Sequence, residues 1–319
     1  FSSAILESES PMASDNLALD VRRSNTESGG DSGGAAPIVA ARAKSTLASR
    51  IGHGTVYVLM GLLAFTTLFP FYYMVSTSLM TLTEAFQYPP HLFPPHAQWS
   101  NYREIWDTLP FARFFLNSTI HVIGVMAGRF FIVTMAGYAF ARIDFPGRDK
   151  VFLGFLAFMM IPNAVTLVSS FILLQSLGWI DTYLALIVPA FNYIWGIFLM
   201  RQYFMTLPVS LEDAARIDGA SEFTTYFRIF MPLAKPATLV VLLFSFTEVW
   251  KAFLWPLIVT RSLEMRTVEV GISLLRNQYN VDFPLQMTAA TLVSLPIMII
   301  FFFAQEYFME GINLSGTNK

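Results

Sequence analysis

The sequence contains no cysteine and carries few charges. Without cysteine, disulfides, thiolate metal sites and cysteine nucleophiles are all excluded. Charged residues make up 13% of the 319 residues and hydrophobic residues 55%, whereas about 25% of the residues in a soluble domain are charged. So few charges cannot cover the surface of a water-soluble globule, and we therefore expect a membrane protein. The net charge of −2 argues against nucleic acid as a partner.

Motifs that hold nucleotides or metals are also missing. No G-x-x-x-x-G-K-[ST] phosphate loop occurs, so the chain is not expected to bind ATP by that device. The four histidines are scattered and form no H-E-x-x-H pattern, so we predict no metal site. We predict no catalytic residue either, because the sequence shows no cluster of Asp, His or Ser on facing helices.

Long apolar runs dominate the chain from residue 55 onward. Six of them are long enough, at about 1.5 Å per residue, to cross the roughly 30 Å of hydrocarbon in a bilayer. Several of these runs carry proline, for example at Pro70, Pro162, Pro189 and Pro296, which spanning helices accept because neighbouring helices can satisfy the freed backbone groups. We predict an all-α integral membrane protein with spans at residues 55–78, 114–140, 151–176, 182–205, 235–259 and 287–308.

Residues 1–50 depart from this pattern. The stretch "SNTESGGDSGGAAP" is polar, Ser/Gly-rich and aperiodic, which predicts a disordered tail ahead of a transmembrane domain at 51–319. Of the 20 Lys and Arg residues, thirteen fall in one set of connecting segments, which includes both terminal regions, and five in the other. Because cytoplasmic loops are enriched in Lys and Arg, we expect a multi-pass protein of the cell membrane with both termini in the cytoplasm.

One connecting loop, residues 208–232, is polar and closely patterned. Ser210 and Asp213 form the S-x-x-D pattern that caps a helix start, and Asp213 then lies in the first turn, where the helix dipole favours a carboxylate. Gly219 suits the left-handed residue that ends a helix, and Ser221 can cap a second helix. We predict a helix, a tight turn at glycine and a second helix, called below the 208–232 hairpin.

The hairpin sequence resembles a known family. "EDAARIDGA", followed by Ile229, Pro232 and "LAKPA", is similar to the EAA loop of ABC importer permeases. The likeness extends over about residues 55–319 and is closest to the carbohydrate, maltose-type branch. Four further stretches carry it: "AGYAFARIDFPGRD" at 136–149, "IPNAVTLVSSFILLQSLGWIDTYLALIVP" at 161–189, "GIFLMRQYFMTLP" at 196–208 and "FLWPLIVT" at 253–260.

The resemblance implies a fold, a role and a set of partners. The fold would be that of a type I ABC importer permease, with six spans and the 208–232 hairpin docking on a cytoplasmic ATPase. The partners would be a second permease subunit, two ATP-binding subunits that hold ATP and Mg, an extracytoplasmic solute-binding protein and membrane lipid. The coupling residues implied are Glu212, Asp213, Ala214, Ala215, Asp218, Gly219 and Pro232.

Two positions depart from the family pattern. The family usually has Glu immediately before the two alanines, where this chain has Asp213, and it commonly has Asn where this chain has Lys251. The aspartate is one methylene shorter, so we expect docking to survive with a changed reach.

Three charged residues, Arg129, Glu248 and Lys251, fall near the middle of the predicted spans. Each would cost about 2.5 to 3.5 kcal/mol facing lipid, so they must face protein or a wet cavity. One interpretation is a structural ion pair between Glu248 and Lys251, three residues apart on one helix, with Arg129 as a third member. The other is a solute path lined by Asn192, Tyr193, Trp250 and Lys251, since sugars are bound by aromatic faces and hydrogen-bonding side chains.

A pair of glycines with small-residue spacing, Gly124-x-x-x-Gly128, can bring helices close together. Packing within this chain is the favoured interpretation.

The solute class stays open at this point. A sugar is expected from the carbohydrate branch, with glycerol phosphate or a polyol as the alternative. A secondary transporter is less favoured, because such proteins usually show more spans and an internal repeat. A membrane-embedded enzyme is also less favoured, because the sequence offers no candidate catalytic groups for one.

Overall fold

The computed structural model describes the backbone of residues 40–278 and 282–316, and the side chains of residues 54–275 and 282–305. Every regular element in these ranges is a helix, which confirms the all-α prediction. The chain divides into two units, Phe1–Ala64 and Phe65–Lys319. Residues 1–39 of the predicted tail lie outside the described residues, and the first helix begins at Ala40 rather than after residue 50.

Fifteen α-helices are described, joined by short 3-10 turns at Pro189–Phe191 and Leu263–Met265 and by a π-helical turn at Tyr226–Phe230. The α-helices are α1 Ala40–Ser78, α2 Leu82–Ala85, α3 Ser100–Thr108, α4 Phe111–Arg142, α5 Arg148–Phe158, α6 Asn163–Ser176, α7 Tyr183–Ile187, α8 Ile194–Thr206, α9 Ser210–Ile217, α10 Glu222–Thr225, α11 Met231–Leu233, α12 Lys235–Trp250, α13 Leu254–Val259, α14 Val268–Gln278 and α15 Phe283–Gly316.

Three stretches are long and apolar enough to span a membrane without a break: Gly54–Ser78, Phe111–Arg142 and Phe283–Gln305. They confirm the first, second and sixth predicted spans. Three further pairs of helices reach the same length only when taken together, each bent at a short break, so the described residues contain up to six spans. The pairs are Arg148–Phe158 with Asn163–Ser176, bent by 95°, Tyr183–Phe191 with Ile194–Thr206, bent by 41°, and Glu222–Leu233 with Lys235–Trp250, bent by 79°.

The three middle spans are therefore bent rather than straight helices. Proline accounts for the first break, since it removes a backbone donor and clashes with the preceding turn, and Pro162 directly precedes α6. Pro189 opens the 3-10 turn after α7, and the bend of the second pair follows it, between Phe191 and Ile194. The predicted fifth span, 235–259, is interrupted too, because α12 ends at Trp250 and α13 begins at Leu254. Of the four prolines named above, Pro70 and Pro296 lie inside long helices, as predicted.

Helix α4 is the centre of the packing and contacts α7, α8, α12 and α14. Its first half contributes Phe111, Phe114, Val122 and Val125 to one buried apolar cluster. Its second half contributes to another, which includes Tyr138 and Phe140 together with residues of α8, the π-helical turn and α12. The two sites described below lie at the middle and at the end of this helix.

Glycines let neighbouring segments approach α4 closely. A Cβ added at Gly124 would lie 2.6 Å from Cδ1 of Ile187, and one at Gly128 would lie 2.1 Å from the ring of Phe191. Both contacts are within the chain, so the interpretation of this glycine pair as internal packing is confirmed. Gly137 approaches α8 in the same way, because its added Cβ would be 2.6 Å from Cβ of Met200.

Asp181 joins two loops beyond the ends of α6 and α13. Its carboxylate accepts hydrogen bonds from the backbone N–H groups of Arg261 at 2.8 Å and Ser262 at 3.1 Å, and its own N–H donates to the carbonyl of Val259. Burial raises the pKa of Asp181, but the hydrogen bonds from these N–H groups outweigh burial and hold the pKa below its ordinary value. The residue has a φ of 64°, in the left-handed region that Asp tolerates better than most residues.

Candidate functional site

The 208–232 hairpin forms with the predicted turn. Helix α9 ends after Ile217, Gly219 has a φ of +74°, and α10 begins after Ser221, whose hydroxyl accepts a hydrogen bond from the N–H of Thr224. No atom lies within 4 Å of a Cβ added at Gly219, so backbone conformation rather than space calls for glycine here.

The start of α9 differs from the prediction. Ser210 is the first helical residue rather than the cap, and the capping position is Val209, whose backbone is already helical and which has no side-chain cap bond. The helix begins one residue early because the N–H groups of Glu212 and Asp213 both donate to the carbonyl of Val209, at 2.9 and 3.1 Å. Asp213 nonetheless lies in the first turn, as predicted.

The predicted coupling residues of α9 face opposite ways. Glu212 and Ala215 are buried, at 5% and 4% exposure, while Asp213 and Ala214 are exposed. Ile217, also on the exposed side, has 86% of its surface accessible. Glu212 and Ala215 are therefore positioned to attach the helix to the bundle rather than to touch a partner. Asp218, Gly219 and Pro232 are exposed.

Glu212 is held between two arginines. One carboxylate oxygen lies 2.7 Å from Nη2 of Arg216, one turn later on the same helix, and the other lies 3.9 Å from Nη1 of Arg142 at the end of α4. Arg142 is buried, with 6% of its side chain exposed. The carboxylate of Glu212 thus supplies the charge that a buried guanidinium requires.

Arg142 connects three further elements. Its guanidinium donates to the carbonyls of Phe204 and Leu207, which end α8, where a helix dipole favours a cation. It also lies 5.0 Å from the ring centroid of Phe230 in the π-helical turn. One side chain of α4 therefore contacts the end of α8, the start of α9 and the second arm of the hairpin.

A second contact chain runs beside the first. Arg216 lies 3.3 Å from a carboxylate oxygen of Glu222, and the other oxygen of Glu222 accepts a hydrogen bond from the hydroxyl of Tyr138 at 3.1 Å. The Tyr138 ring packs against Tyr226 and Phe230, with centroids 5.3 Å from each. Both arms of the hairpin are thereby joined to the last two turns of α4.

Two of the three charged residues near the middle of the predicted spans, Arg129 and Glu248, pair beside the middle of α4. Arg129 donates to both carboxylate oxygens of Glu248, at 3.1 and 3.2 Å, to the hydroxyl of Ser245 at 3.0 Å and to the carbonyl of Ala190 at 2.7 Å. Its guanidinium also lies 4.0 Å from the Tyr193 ring centroid. The pair is therefore Arg129 with Glu248, and the ion pairs found among the described side chains do not include Lys251.

The four residues of the predicted solute path separate into two groups. Asn192 is exposed and Tyr193 is half-buried, and both lie at the break between α7 and α8. Lys251 is exposed at the end of α12. Trp250 is only 4% exposed, because its indole N–H donates to the carbonyl of Val293 and its ring stacks on Phe246. The prediction that Trp250 lines the path is corrected: it belongs to the packing between α12 and α15.

Sequence reasoning missed Arg142, Tyr138 and Ser245. Arg142 and Tyr138 belong to the stretch "AGYAFARIDFPGRD", which carries the family resemblance, but their contacts are 60 or more positions away along the chain, as with Phe204. The sequence does contain one signal for Arg142, its position as a cation at the end of a long apolar run, since such a residue needs acceptors nearby.

Residues 122–313 match the family described as the binding-protein-dependent transport system inner membrane component. The chain belongs to this family. Such a permease is a multi-pass membrane subunit of an ABC transporter complex that includes other subunits, and the identified family accounts for the long apolar helices described above.

Individual relatives agree with this membership. The chain is 37% identical over 205 residues to the arabinooligosaccharides transport system permease protein AraQ of Bacillus subtilis (strain 168), covering 64% of this chain and 73% of that protein. It is 30% identical over 270 residues to the sn-glycerol-3-phosphate transport system permease protein UgpE of Pectobacterium atrosepticum, covering 81% and 94%. A chain of a bacterial ABC transporter involved in the import of the acidic polysaccharide alginate has the same fold, with a TM-score of 0.73, 23% identity and coverage of 82% and 98%.

Proposed function

We propose that this permease translocates a sugar or sugar-like solute, driven by ATP hydrolysis on partner subunits through the 208–232 hairpin. The assembly would contain a second permease, two ATP-binding subunits that hold ATP and Mg, and an extracytoplasmic solute-binding protein. Both termini and the hairpin would lie in the cytoplasm. The names of the relatives that act on arabinooligosaccharides, galactooligosaccharides and maltodextrin support the solute class.

The two-sided character of α9 is the observation that carries the coupling role. Its buried face holds Glu212 against Arg142 and Arg216, and its other face exposes Asp213, Ala214 and Ile217. A helix attached on one side and open on the other can pass a displacement from a partner to the bundle. Shifting a two-state equilibrium from 1:99 to 99:1 needs about 5.5 kcal/mol of differential interaction, so the attachment must be stiff.

The absence of cysteine makes this proposal directly testable, because single cysteines can be introduced without background. Ile217→Cys, on the exposed face, should crosslink to an ATP-binding subunit in the intact assembly. Ala215→Cys, two residues earlier but 4% exposed, is the matched control and should not. Crosslinks from both positions, or from neither, would contradict docking through this face.

Glycerol phosphate remains the alternative solute. The similarity to UgpE over 94% of that protein's length and the exposed Lys251 favour it. ATP-dependent uptake into vesicles carrying the whole assembly, measured with neutral oligosaccharides and with sn-glycerol 3-phosphate, separates the two solutes.

A further inference from the structure

We infer that Glu248 forms, in this subunit, a fixed hydrogen-bond acceptor for the hydroxyl groups of an uncharged carbohydrate. The inference rests on the proposed function and adds the site and the charge class of the solute. It starts from an asymmetry in the Arg129–Glu248 pair: 2% of the arginine side chain is exposed, but 56% of the glutamate side chain is.

The cation of the pair is buried and its donors are engaged. Its Nε, Nη1 and Nη2 atoms all donate to groups of the chain: the carbonyl of Ala190, the hydroxyl of Ser245 and the two oxygens of Glu248. The Tyr193 ring lies against the guanidinium. A solute outside cannot reach the guanidinium of Arg129, so this cation is not available to bind an anion.

The carboxylate, in contrast, keeps acceptor capacity on its exposed side. An ionised carboxylate has about four lone-pair sites, and Arg129 uses one on each oxygen. The two N–H groups also fix the plane of the carboxylate, so its remaining lone pairs point in set directions. An acceptor that is held in position suits hydroxyl donors and disfavours a second carboxylate or phosphate.

Neighbouring groups complete the chemistry. Lys251, exposed and three residues later at the end of α12, carries donors and no acceptor, and its charge disfavours a cation beside Glu248. Asn192 is exposed at the break between α7 and α8, and non-helical backbone at membrane depth is tolerated only inside protein or along a water-filled cavity. A neutral solute with many hydroxyls can donate to Glu248, whereas an anion that approaches this carboxylate meets a like charge and finds the guanidinium of Arg129 buried.

The test uses the complete assembly in vesicles and measures uptake of arabinose-, galactose- and glucose-based oligosaccharides and of sn-glycerol 3-phosphate. Glu248→Gln weakens one acceptor without removing it, so the KM for a transported oligosaccharide should rise about tenfold, the difference between a charged and a neutral hydrogen bond. Glu104→Gln, which changes an exposed glutamate in α3, is the matched control and should leave KM unchanged.

A double variant separates binding from a purely structural role. Replacing the buried charge together with its partner by apolar residues of similar size is often neutral for stability. Arg129 is buried and Glu248 half exposed, so Arg129→Met with Glu248→Met should insert and assemble normally. Its oligosaccharide uptake should nevertheless fall about 10- to 150-fold if Glu248 binds the solute, as expected for the loss of a hydrogen bond to a charged group. Normal uptake by this variant would show that the pair is structural only, and failure to assemble would assign Glu248 to a subunit interface.

The identity of the transported solutes provides a further test of the inference. Transport of sn-glycerol 3-phosphate alone, or of no oligosaccharide tested, would overturn the assignment to uncharged carbohydrates. Crosslinking of Ile217→Cys to the ATP-binding subunit does not depend on Glu248, so a failure of this inference stays distinguishable from a failure of the proposed coupling role.

Discussion

Removing the carboxylate of Glu212 tests how the 208–232 hairpin is attached to the bundle. In Glu212→Ala, Arg216 loses an oxygen at 2.7 Å and Arg142 loses one at 3.9 Å. Arg142 keeps its hydrogen bonds to the end of α8, so insertion should be unaffected. We expect ATP hydrolysis to continue while solute transport per ATP falls.

The magnitude follows from the exposure of the two arginines. Arg216 is 56% exposed, and a pair of this kind contributes about 0.2–1 kcal/mol. Breaking a fully buried pair costs about 3–5 kcal/mol. Arg142 lies 3.9 Å from Glu212 and keeps other acceptors, so the free-energy cost of Glu212→Ala should be lower, at about 1–3 kcal/mol. Local opening of the hairpin should therefore increase about 5- to 150-fold.

Amide hydrogen exchange over residues 210–222 of the purified chain measures this opening, and uptake per ATP hydrolysed in vesicles measures coupling. Asp213→Ala, at the next position but on the exposed face, should change exchange less than Glu212→Ala. Arg142→Lys keeps the charge without the planar fork of donors, so it should raise exchange as well. Unchanged exchange in both Glu212→Ala and Arg142→Lys would refute the attachment described here.

Three further predictions concern backbone and packing. Gly219→Val forces a β-branched residue to a φ of +74°, which should destabilise the turn by about 1–3 kcal/mol. The variant should insert normally but hydrolyse ATP without solute uptake, and uptake at the wild-type level would contradict a role of the turn in coupling. Gly137→Leu sets a side chain against Met200, so protein level should fall, whereas Gly61→Leu, with no neighbour within 4 Å, should be tolerated. Asp181→Ala should lower the free energy of unfolding by about 1–3 kcal/mol, measured by thermal melts. Since the pKa of Asp181 is below its ordinary value in the folded protein, the stability difference between wild type and variant should be complete above pH about 4 and disappear as the pH falls below it. A stability difference that does not change with pH would contradict the role of the carboxylate.

Local features were predictable from the sequence because short-range chemistry sets them. Gly219 and Ser221 act through their own backbone conformation and a hydroxyl three positions from its donor. The three uninterrupted spans were predictable from length and hydropathy alone. The Ser210 cap was wrong, because the preceding Val209 already has helical backbone angles and its carbonyl takes the first hydrogen bonds.

Features that depend on distant contacts could not be predicted in this way. The spacing of Glu248 and Lys251 suggested a pair along one helix, but Arg129, 119 positions from Glu248, forms two hydrogen bonds with it. The residue type and position of Trp250 predict a path residue, but its indole N–H donates to the carbonyl of Val293. In each case the deciding partner is on another helix, so only the packing of the helices reveals it.

Both sites depend on arginines of the same uninterrupted helix. Arg129 and Arg142 lie thirteen residues apart on α4, which corresponds to about 20 Å at roughly 1.5 Å per residue. Under the proposed coupling, a tilt applied at the hairpin end would displace the Arg129 end in the same event, because one unbroken helix joins the two sites. No relay of side chains between the sites would then be needed, and substitutions along the intervening turns should affect coupling only if they bend the helix.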